Sequence, residues 1–148
     1  MTTTDPLWLP DVNVLVALAH PSHVHHRPAH AWFSTVTAFA TTAITETGLL
    51  RLSMNKAVTG QQISPAAALG LLSAIRALPA HRSVPDDSSL AAPAIISTPA
   101  GYKQVTDLHL VNLAATARAV LVTFDSRLAN ALHPDDRRHV SVLSPVVP

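Results

Sequence analysis

Four carboxylates stand out because they lie inside or beside the most apolar segments of a chain that contains few acids. The 148-residue chain has nine Asp and Glu residues, and Glu46 is its single glutamate. Asp11, Asp107 and Asp125 also border hydrophobic runs. Carboxylates that converge in an apolar setting repel one another and are costly to bury. A hard divalent cation such as Mg²⁺ or Mn²⁺ relieves this repulsion, since it prefers oxygen ligands.

An acidic site that holds one or two such ions suits the hydrolysis of a phosphodiester. The metal lowers the pKa of a bound water and stabilises the charge that develops on the phosphate. The formal net charge is +1, but without the four acids ten Lys and Arg residues face five acids, a balance of +5. This surface is suited to a nucleic acid, whose phosphates supply affinity without sequence information. The candidate phosphate contacts are Arg51, Lys56, Lys103, Arg118, Arg127, Arg137 and Arg138.

The hydrophobic pattern predicts strands that alternate with helices. Strands are expected over residues 7–10, 38–40, 82–84, 119–124 and 140–143, and helices over 12–19, 23–35, 42–55, 64–78 and 106–117. Strands separated by helices form parallel sheets covered on both faces. The fold class is therefore α/β, a three-layer α/β/α sandwich with a central parallel sheet. Asp11 and Asp125 each follow a strand end, where ligand sites of such sheets lie.

Helical spacing places the other two acids. Glu46 shares a face with Leu49, Leu50 and Ser53, which turns it towards the packed side of its helix. Asp107 lies in a first helical turn, on the stripe that continues through Leu110, Val111 and Ala114. All four acids are therefore expected to meet at one edge of the sheet.

Simpler interpretations exist for each acid. Asp11 and Asp125 are each suited to capping the helix that follows. Asp107 could serve only as a negative charge in the first turn of its helix, and Glu46 could form a buried ion pair with an arginine.

Other residues invite functional interpretations that the sequence favours less. The histidines of segment 20–30 include a pair with helical spacing, His26 and His30, but zinc sites of that kind bring a third ligand. We expect a solvated helix entrance there. His109 is expected on a helix surface rather than as a base. The aromatic residues Trp8, Trp32 and Phe33 are expected in the core or a dimer contact, as is the stripe formed by Ala67, Leu71, Ala74 and Leu78.

Composition excludes several classes of protein. The chain contains no cysteine, which excludes disulfide scaffolds, thiolate metal sites and cysteine nucleophiles. Hydrophobic residues make up 48% of the chain, enough for a sizeable core, yet the apolar runs are shorter than the roughly 20 residues of a bilayer span. We expect a single domain over residues 1–148, without a membrane or targeting segment, in the cytoplasm of a bacterium.

The acid-bearing segments resemble those of PIN-domain ribonucleases, particularly the VapC-type toxins of bacterial toxin–antitoxin pairs. The resemblance covers nearly the whole chain in the right order. It rests on the segments LPDVNVLVALA (9–19), AWF (31–33), TETGLLRL (45–52), VTDLHL (105–110) and LVTFD (121–125).

The resemblance implies an acidic pocket that holds Mg²⁺ or Mn²⁺, formed by Asp11, Glu46, Asp107 and Asp125. Asp11 and Asp107 would be the most direct metal ligands, while Glu46 and Asp125 would complete the pocket or orient the water.

By their adjacency to these acids, Asn13, Thr123 and Ser126 would support the site or contact the substrate. The family further implies an endoribonuclease that cuts structured RNA such as tRNA or rRNA, forms homodimers, and is silenced by a VapB-type antitoxin in a heterotetramer or larger assembly.

Two alternatives from other classes stay open at this point. A non-catalytic PIN-like binding module would be expected if the acids had been eroded, whereas all four are present. A phosphoacceptor receiver-like domain also gathers acids at strand ends, but it needs a lysine just after a late strand. The two lysines, Lys56 and Lys103, do not follow such a strand.

Overall fold

The structure, a computed structural model, describes residues 5–145. Five parallel strands form one sheet in the order β3-β2-β1-β4-β5. The strands are β1 (Leu7–Pro10), β2 (Phe39–Thr41), β3 (His81–Ser83), β4 (Ala119–Thr123) and β5 (Val140–Val142). Each begins and ends within one residue of the predicted strand. With helices on both sides, the predicted parallel α/β/α sandwich is confirmed.

Within the described residues, seven α-helices connect and cover the strands. They are α1 (Val12–Ala19), α2 (His26–Phe33), α3 (Ala43–Ser53), α4 (Lys56–Thr59), α5 (Pro65–Arg76), α6 (Val105–Ala117) and α7 (Ser126–Ala131). Two 3-10 helices, Tyr102–Gln104 and Pro134–His139, precede α6 and β5. Several start where the local sequence supplies a cap. Ser64 accepts the Ala67 N–H ahead of α5, whose first residue is proline.

The central strands β1 and β4 set the position of the functional edge. They pair in register from Leu7 with Ala119 to Pro10 with Val122. The Asp11 N–H continues the ladder by donating to the Val122 carbonyl at 2.8 Å. The residues that follow these two strands are therefore neighbours at the carboxyl edge of the sheet.

Two apolar clusters hold the helices against the sheet. One joins α6 and α7 to β1, β2 and β4, with Leu9, Val111 and Leu121 fully buried at its centre. The other joins α1, α3 and α5 through Leu15, Val16 and Leu49. Helix α3 lies so close to α1 that a Cβ added at Gly48 would stand 2.6 Å from a methyl carbon of Val12. This close approach fixes the start of α1 relative to α3.

Some predicted helices differ from the observed ones. Helix α2 begins at His26 rather than residue 23, because the His23 ring nitrogen Nδ1 accepts the His25 N–H at 3.0 Å and holds a turn there. Helices α4 and α7 were not predicted, since each is too short to show a hydrophobic period.

As a core prediction, the packing stripe of α5 is wrong by one residue, while its role as an interface stays a prediction. Ala67, Ala74 and Leu78 are exposed, whereas Ala68 is buried and Leu72 and Ile75 pack against the α1–α3 cluster. In the part of the chain that the structure describes, no helix has the length and apolar content needed to cross a membrane.

Candidate active site

Asp11 lies at the junction of β1 and α1 and is fixed by two hydrogen bonds. Its Oδ1 accepts the Val12 N–H at 2.7 Å, and its Oδ2 accepts the Thr123 hydroxyl at 3.0 Å. Burial raises the pKa of this carboxyl, and the charge of Asp125 raises it further, while the bonds from Val12 and Thr123 lower it. The net direction is upward. Asp11 thus caps α1, as the simpler interpretation has it, and also faces other negative charge.

Thr123 connects Asp11 to Asp125. Its side chain is fully buried at the end of β4, and its hydroxyl oxygen accepts the Asp125 N–H at 3.1 Å while the hydroxyl donates to Asp11. Asp125 caps α7 by accepting the Arg127 N–H at 3.0 Å. The Arg127 Nε lies 3.4 Å from the same oxygen, on a side chain that is 92% exposed. Such an exposed pair contributes little to stability, so Arg127 stays available for other contacts.

Asp107 differs from these two acids in having no hydrogen-bond donor. Within residues 5–145, no backbone or side-chain group donates to its carboxylate. Burial raises the pKa of Asp107, and the charges of Asp11 and Asp125 raise it further. The three acids therefore converge, and their negative charge is not fully compensated by the chain itself.

Glu46 lies apart from this cluster in a network of its own. Its Oε2 accepts hydrogen bonds from the Thr41 hydroxyl and from Arg76 Nη1, each at 2.6 Å. His81, whose Nε2 lies 2.6 Å from the Thr41 hydroxyl oxygen, completes the network. Burial lowers the pKa of His81, as does the charge of Arg76. The arginine partner that the simpler interpretation of Glu46 requires is therefore present, although the pair is partly exposed rather than buried.

The donor set suits a hard divalent cation. The Asp11, Asp107 and Asp125 cluster offers carboxylate oxygens. Burial is the main cause of the raised pKa values of Asp11 and Asp107, and the charges of neighbouring acids add to it, a repulsion that a cation would relieve. Within the described residues, no three His, Asp or Glu side chains stand close enough to hold an ion together. Mg²⁺ does not require such a cage, since it commonly binds through one or two carboxylates, waters and substrate phosphates.

Two clefts open on either side of Asp125 and Arg127, which line both. One has a volume of about 570 Å³ and is also lined by Asn13, His25 and Phe124. The other, of about 350 Å³, contains Lys103 and the carboxylate of Asp107. Asp107 and Asp125 thus lie in clefts that Lys103 and Arg127 also line, whereas the buried Asp11 lines neither cleft. Of the seven predicted phosphate contacts, Lys103 and Arg127 line these clefts.

The predicted supporting residues Asn13, Thr123 and Ser126 all lie near the acids. Thr123 bridges Asp11 and Asp125 from the core, whereas Asn13 and Ser126 are exposed and line the larger cleft. The sequence interpretation missed Arg76, because arginine on an exposed helix carries no local signal of its partner. It also passed over Phe124, although that residue directly precedes Asp125 at a strand end.

Most of the remaining histidines have structural partners. His20 is buried and bonds the Ser53 hydroxyl at 2.8 Å, and the His26 Nδ1 lies 2.7 Å from the Ala17 carbonyl oxygen. His109 pairs with Asp86 at 2.6 Å on the surface of α6. The expected solvated helix entrance is therefore wrong for His20, which is buried, and fits His30, which is exposed. His109 lies on the helix surface as expected, and His25 lines the larger cleft.

The chain matches the family model described as PIN domain over residues 9–132. It is 42% identical over 125 residues to ribonuclease VapC39 of Mycobacterium tuberculosis, and the aligned segment covers 82% of this chain and 90% of the relative. Ribonuclease VapC38 of the same organism is 44% identical over 121 residues, which cover 78% of this chain and 83% of the relative. Ribonuclease VapC29, also of Mycobacterium tuberculosis, is 39% identical over 136 residues, which cover 91% of this chain and 94% of the relative.

These relatives are matched along nearly their whole length, and the parallel sheet with acids at its carboxyl edge agrees with the resemblance drawn from the sequence. The predicted family is confirmed: the chain belongs to the PIN-domain family and is a VapC-type member of it.

Proposed function

We propose that the chain cuts RNA at the cluster of Asp11, Asp107 and Asp125, with Mg²⁺ or Mn²⁺ as its cofactor. Its family and its relatives, which are named ribonucleases VapC, make it a ribonuclease of the VapC type and hence the toxin of a VapBC pair. The observation that carries the site assignment is the Asp107 carboxylate. It has no hydrogen-bond donor within residues 5–145, and burial together with the charges of two further acids raises its pKa.

Each residue of the site has a separate task in this proposal. Asp11 and Asp107 supply the carboxylates that would hold the cation, and Thr123 keeps Asp11 and the backbone at Asp125 in a fixed geometry. A bound divalent ion supplies a water of lowered pKa and offsets negative charge on the phosphate. Asp125 orients the water, and Lys103 and Arg127 hold the phosphates on either side. Glu46 joins the site once Arg76 releases it.

Cleavage of a structured RNA, such as tRNA or rRNA, tests the proposal. The purified chain is incubated with RNA while Mg²⁺ or Mn²⁺ is titrated, next to Asp107→Asn and a control, Asp87→Asn. Asp87 is an exposed acid away from the clefts. We expect metal-dependent cleavage by the unaltered chain and by the control, and a loss of at least about a hundredfold in Asp107→Asn. Equal cleavage by both variants would contradict the site assignment.

The two alternatives make different predictions. A non-catalytic module would bind RNA and leave it intact at every metal concentration. A receiver-like domain would become labelled by a small phosphodonor, and Lys103, which shares a cleft with Asp107 and Asp125, is the lysine available for that role. The match to the PIN domain favours the nuclease over both. We expect no labelling at Asp11.

The toxin assignment implies a VapB-type antitoxin and action in the cytoplasm on the cell's own RNA. We propose a homodimer that forms a heterotetramer or larger assembly with the antitoxin. Growth arrest on induction, relieved by co-expression of the antitoxin and absent in Asp107→Asn, is the expected cellular result. A toxicity that Asp107→Asn retains would separate growth arrest from the proposed site.

A further inference from the structure

The larger of the two clefts has features that phosphate binding does not explain. It has a volume of about 570 Å³, within the usual range for ligand sites, and Asp125 lies in its wall. Its remaining lining combines polar groups with Val24 and three aromatic rings, those of His23, His25 and Phe124. A site built to hold phosphates alone needs basic and backbone groups but no rings.

Two of these rings, His25 and Phe124, are packed together across a long sequence separation. The His25 and Phe124 ring centroids lie 4.8 Å apart, with an angle of 30° between the planes. His25 precedes α2 and Phe124 follows β4, so the contact joins the histidine-rich turn to the strand end that carries Asp125. Because each ring restrains the other, a base that stacks on them meets a surface that is already ordered.

His25 also lacks the structural partners of its neighbours. Among the described residues, no group bonds to its Nδ1, which is shielded from solvent, whereas His20 and His26 each have a clear partner. The turn that presents His25 is itself fixed, since the His23 Nδ1 accepts the His25 N–H. The turn therefore positions the His25 ring, and no hydrogen bond to its Nδ1 from the described residues contributes to that position.

We propose that His25 and Phe124 form a base-stacking subsite, which binds the base of the nucleotide next to the cleaved phosphodiester. This inference rests on the proposed function, since the phosphodiester is placed at Asp11, Asp107 and Asp125. Histidine and phenylalanine are among the side chains on which unpaired bases stack, and such stacking tolerates any base sequence. Asn13 and Ser126, exposed in the same cleft, offer hydrogen bonds to the edge of the base.

The subsite also has a consequence for the substrate. A base can enter the cleft only when it is free of its own helical stack, so the cleaved nucleotide must be unpaired or readily extruded. Arg127, which lines this cleft and the smaller one, then lies where it can contact the adjoining phosphate.

Binding, measured without cleavage, tests the subsite directly. The full chain with Asp107→Asn is titrated into short single-stranded RNAs, each with one 2-aminopurine, whose fluorescence falls on stacking. His25→Leu and Phe124→Leu are then added separately, with His30→Leu as the matched control. His30 lies on α2 beside an apolar pocket away from the acids. Thermal melting checks that each variant folds, and His25→Tyr restores a ring that can stack.

We expect quenching at one position in the parent and in His30→Leu. It should be lost in His25→Leu and Phe124→Leu with about tenfold weaker binding, and recovered in His25→Tyr. No quenching in the parent, or equal quenching in His25→Leu, would overturn the subsite. Cleavage by the chain with Asp107 intact is measured in parallel. If that chain stacks the base but does not cut RNA, the proposed function fails while the subsite stands.

Discussion

The Glu46 carboxylate is bound by the Arg76 guanidinium at 2.6 Å, an ion pair that joins α3 to α5. The same oxygen accepts the Thr41 hydroxyl, so both donors hold Glu46 in one orientation. Asp107, by contrast, has no donor among residues 5–145. The carboxyl edge of the sheet therefore carries Glu46, which Arg76 pairs, and three acids whose charge is compensated in part, by hydrogen bonds at Asp11 and by the exposed Arg127 at Asp125, and not by any donor at Asp107 within residues 5–145.

Releasing Glu46 should strengthen cation binding. Arg76→Met removes the guanidinium but keeps much of the apolar stem, and we expect tighter binding of Mn²⁺ by calorimetry because Glu46 can then turn towards the acids. The half-exposed pair itself contributes at most about 1 kcal/mol to folding. Arg82→Met is the control, since Arg82 bonds only backbone carbonyls. Equal Mn²⁺ affinity in Arg76→Met and the control would show that Arg76 does not compete with the cation.

Gly48 should tolerate no side chain. In Gly48→Ala the new Cβ would stand 2.6 Å from Val12, whose N–H holds Asp11, so the start of α1 must shift. We expect a loss of about 1–3 kcal/mol in the free energy of unfolding and weaker RNA cleavage. Gly70→Ala is the matched control, because its Cβ would meet nothing within 4 Å in the middle of α5. There alanine should stabilise by up to about 1 kcal/mol, and a loss at Gly70 equal to that at Gly48 would refute the steric argument.

Asp107→Asn should stabilise the fold while it abolishes cleavage. The pKa of Asp107 is raised in the folded chain by burial and by Asp11 and Asp125, so its ionised form costs stability at neutral pH. We expect the variant to melt about 1–3 °C higher at pH 7 in the absence of divalent ions. As the pH falls through the raised folded pKa towards the ordinary value near 3.8, the folded chain takes up the proton and the advantage disappears.

The control for this prediction is Asp87→Asn, which should melt like the unaltered chain at each pH. Mg²⁺ should raise the melting temperature of the unaltered chain more than that of Asp107→Asn, since binding stabilises the state that binds. A melting-temperature difference that persists unchanged to pH 3 would show that charge at Asp107 is not its cause.

Asp136 should anchor the segment before α6. Burial raises the pKa of this carboxyl, but the Ser97 hydroxyl and the backbone N–H groups of Ser97 and Ile96 outweigh that effect and hold it below the ordinary value. Asp136→Ala leaves these donors unpaired, so we expect a loss of about 1–3 kcal/mol and faster proteolysis within residues 85–101. The exposed Asp135→Ala is the control and should change stability by less than about 1 kcal/mol. Proteolysis that stays equally slow in both variants would argue against the anchor.

The sequence predicted the sheet well because its strands carry a strong local signal. The run of β4 is apolar on both faces, and it lies between helices on both sides, so its burial and direction follow from the residues themselves. The positions of Asp11 and Asp125 at neighbouring strand ends follow from the same reasoning. Helix α7 escaped prediction because its six residues are fixed by the Asp125 cap and by packing of Leu128, neither of which makes a periodic pattern.

Contacts between residues that are far apart in the chain could not be predicted from the sequence. Glu46 and Arg76 are thirty residues apart, and His25 and Phe124 belong to opposite ends of the chain, so only the folded sheet brings each pair together. In α5 the difficulty is local, because two adjacent apolar faces compete and the fold buries Ala68 and packs Leu72 and Ile75 against the α1–α3 cluster. Its alanine-rich sequence offers nearly equal apolar faces, and contact with α1 and α3 selects one.

Calorimetric titration of Mn²⁺ into the unaltered chain, Asp107→Asn and Asp87→Asn tests most directly whether the converging acids form a cation site. Saturable binding by the unaltered chain and by Asp87→Asn, with affinity lost in Asp107→Asn, is the predicted result. The same heat and affinity in all three chains, or no binding in any of them at millimolar Mn²⁺, would contradict the account.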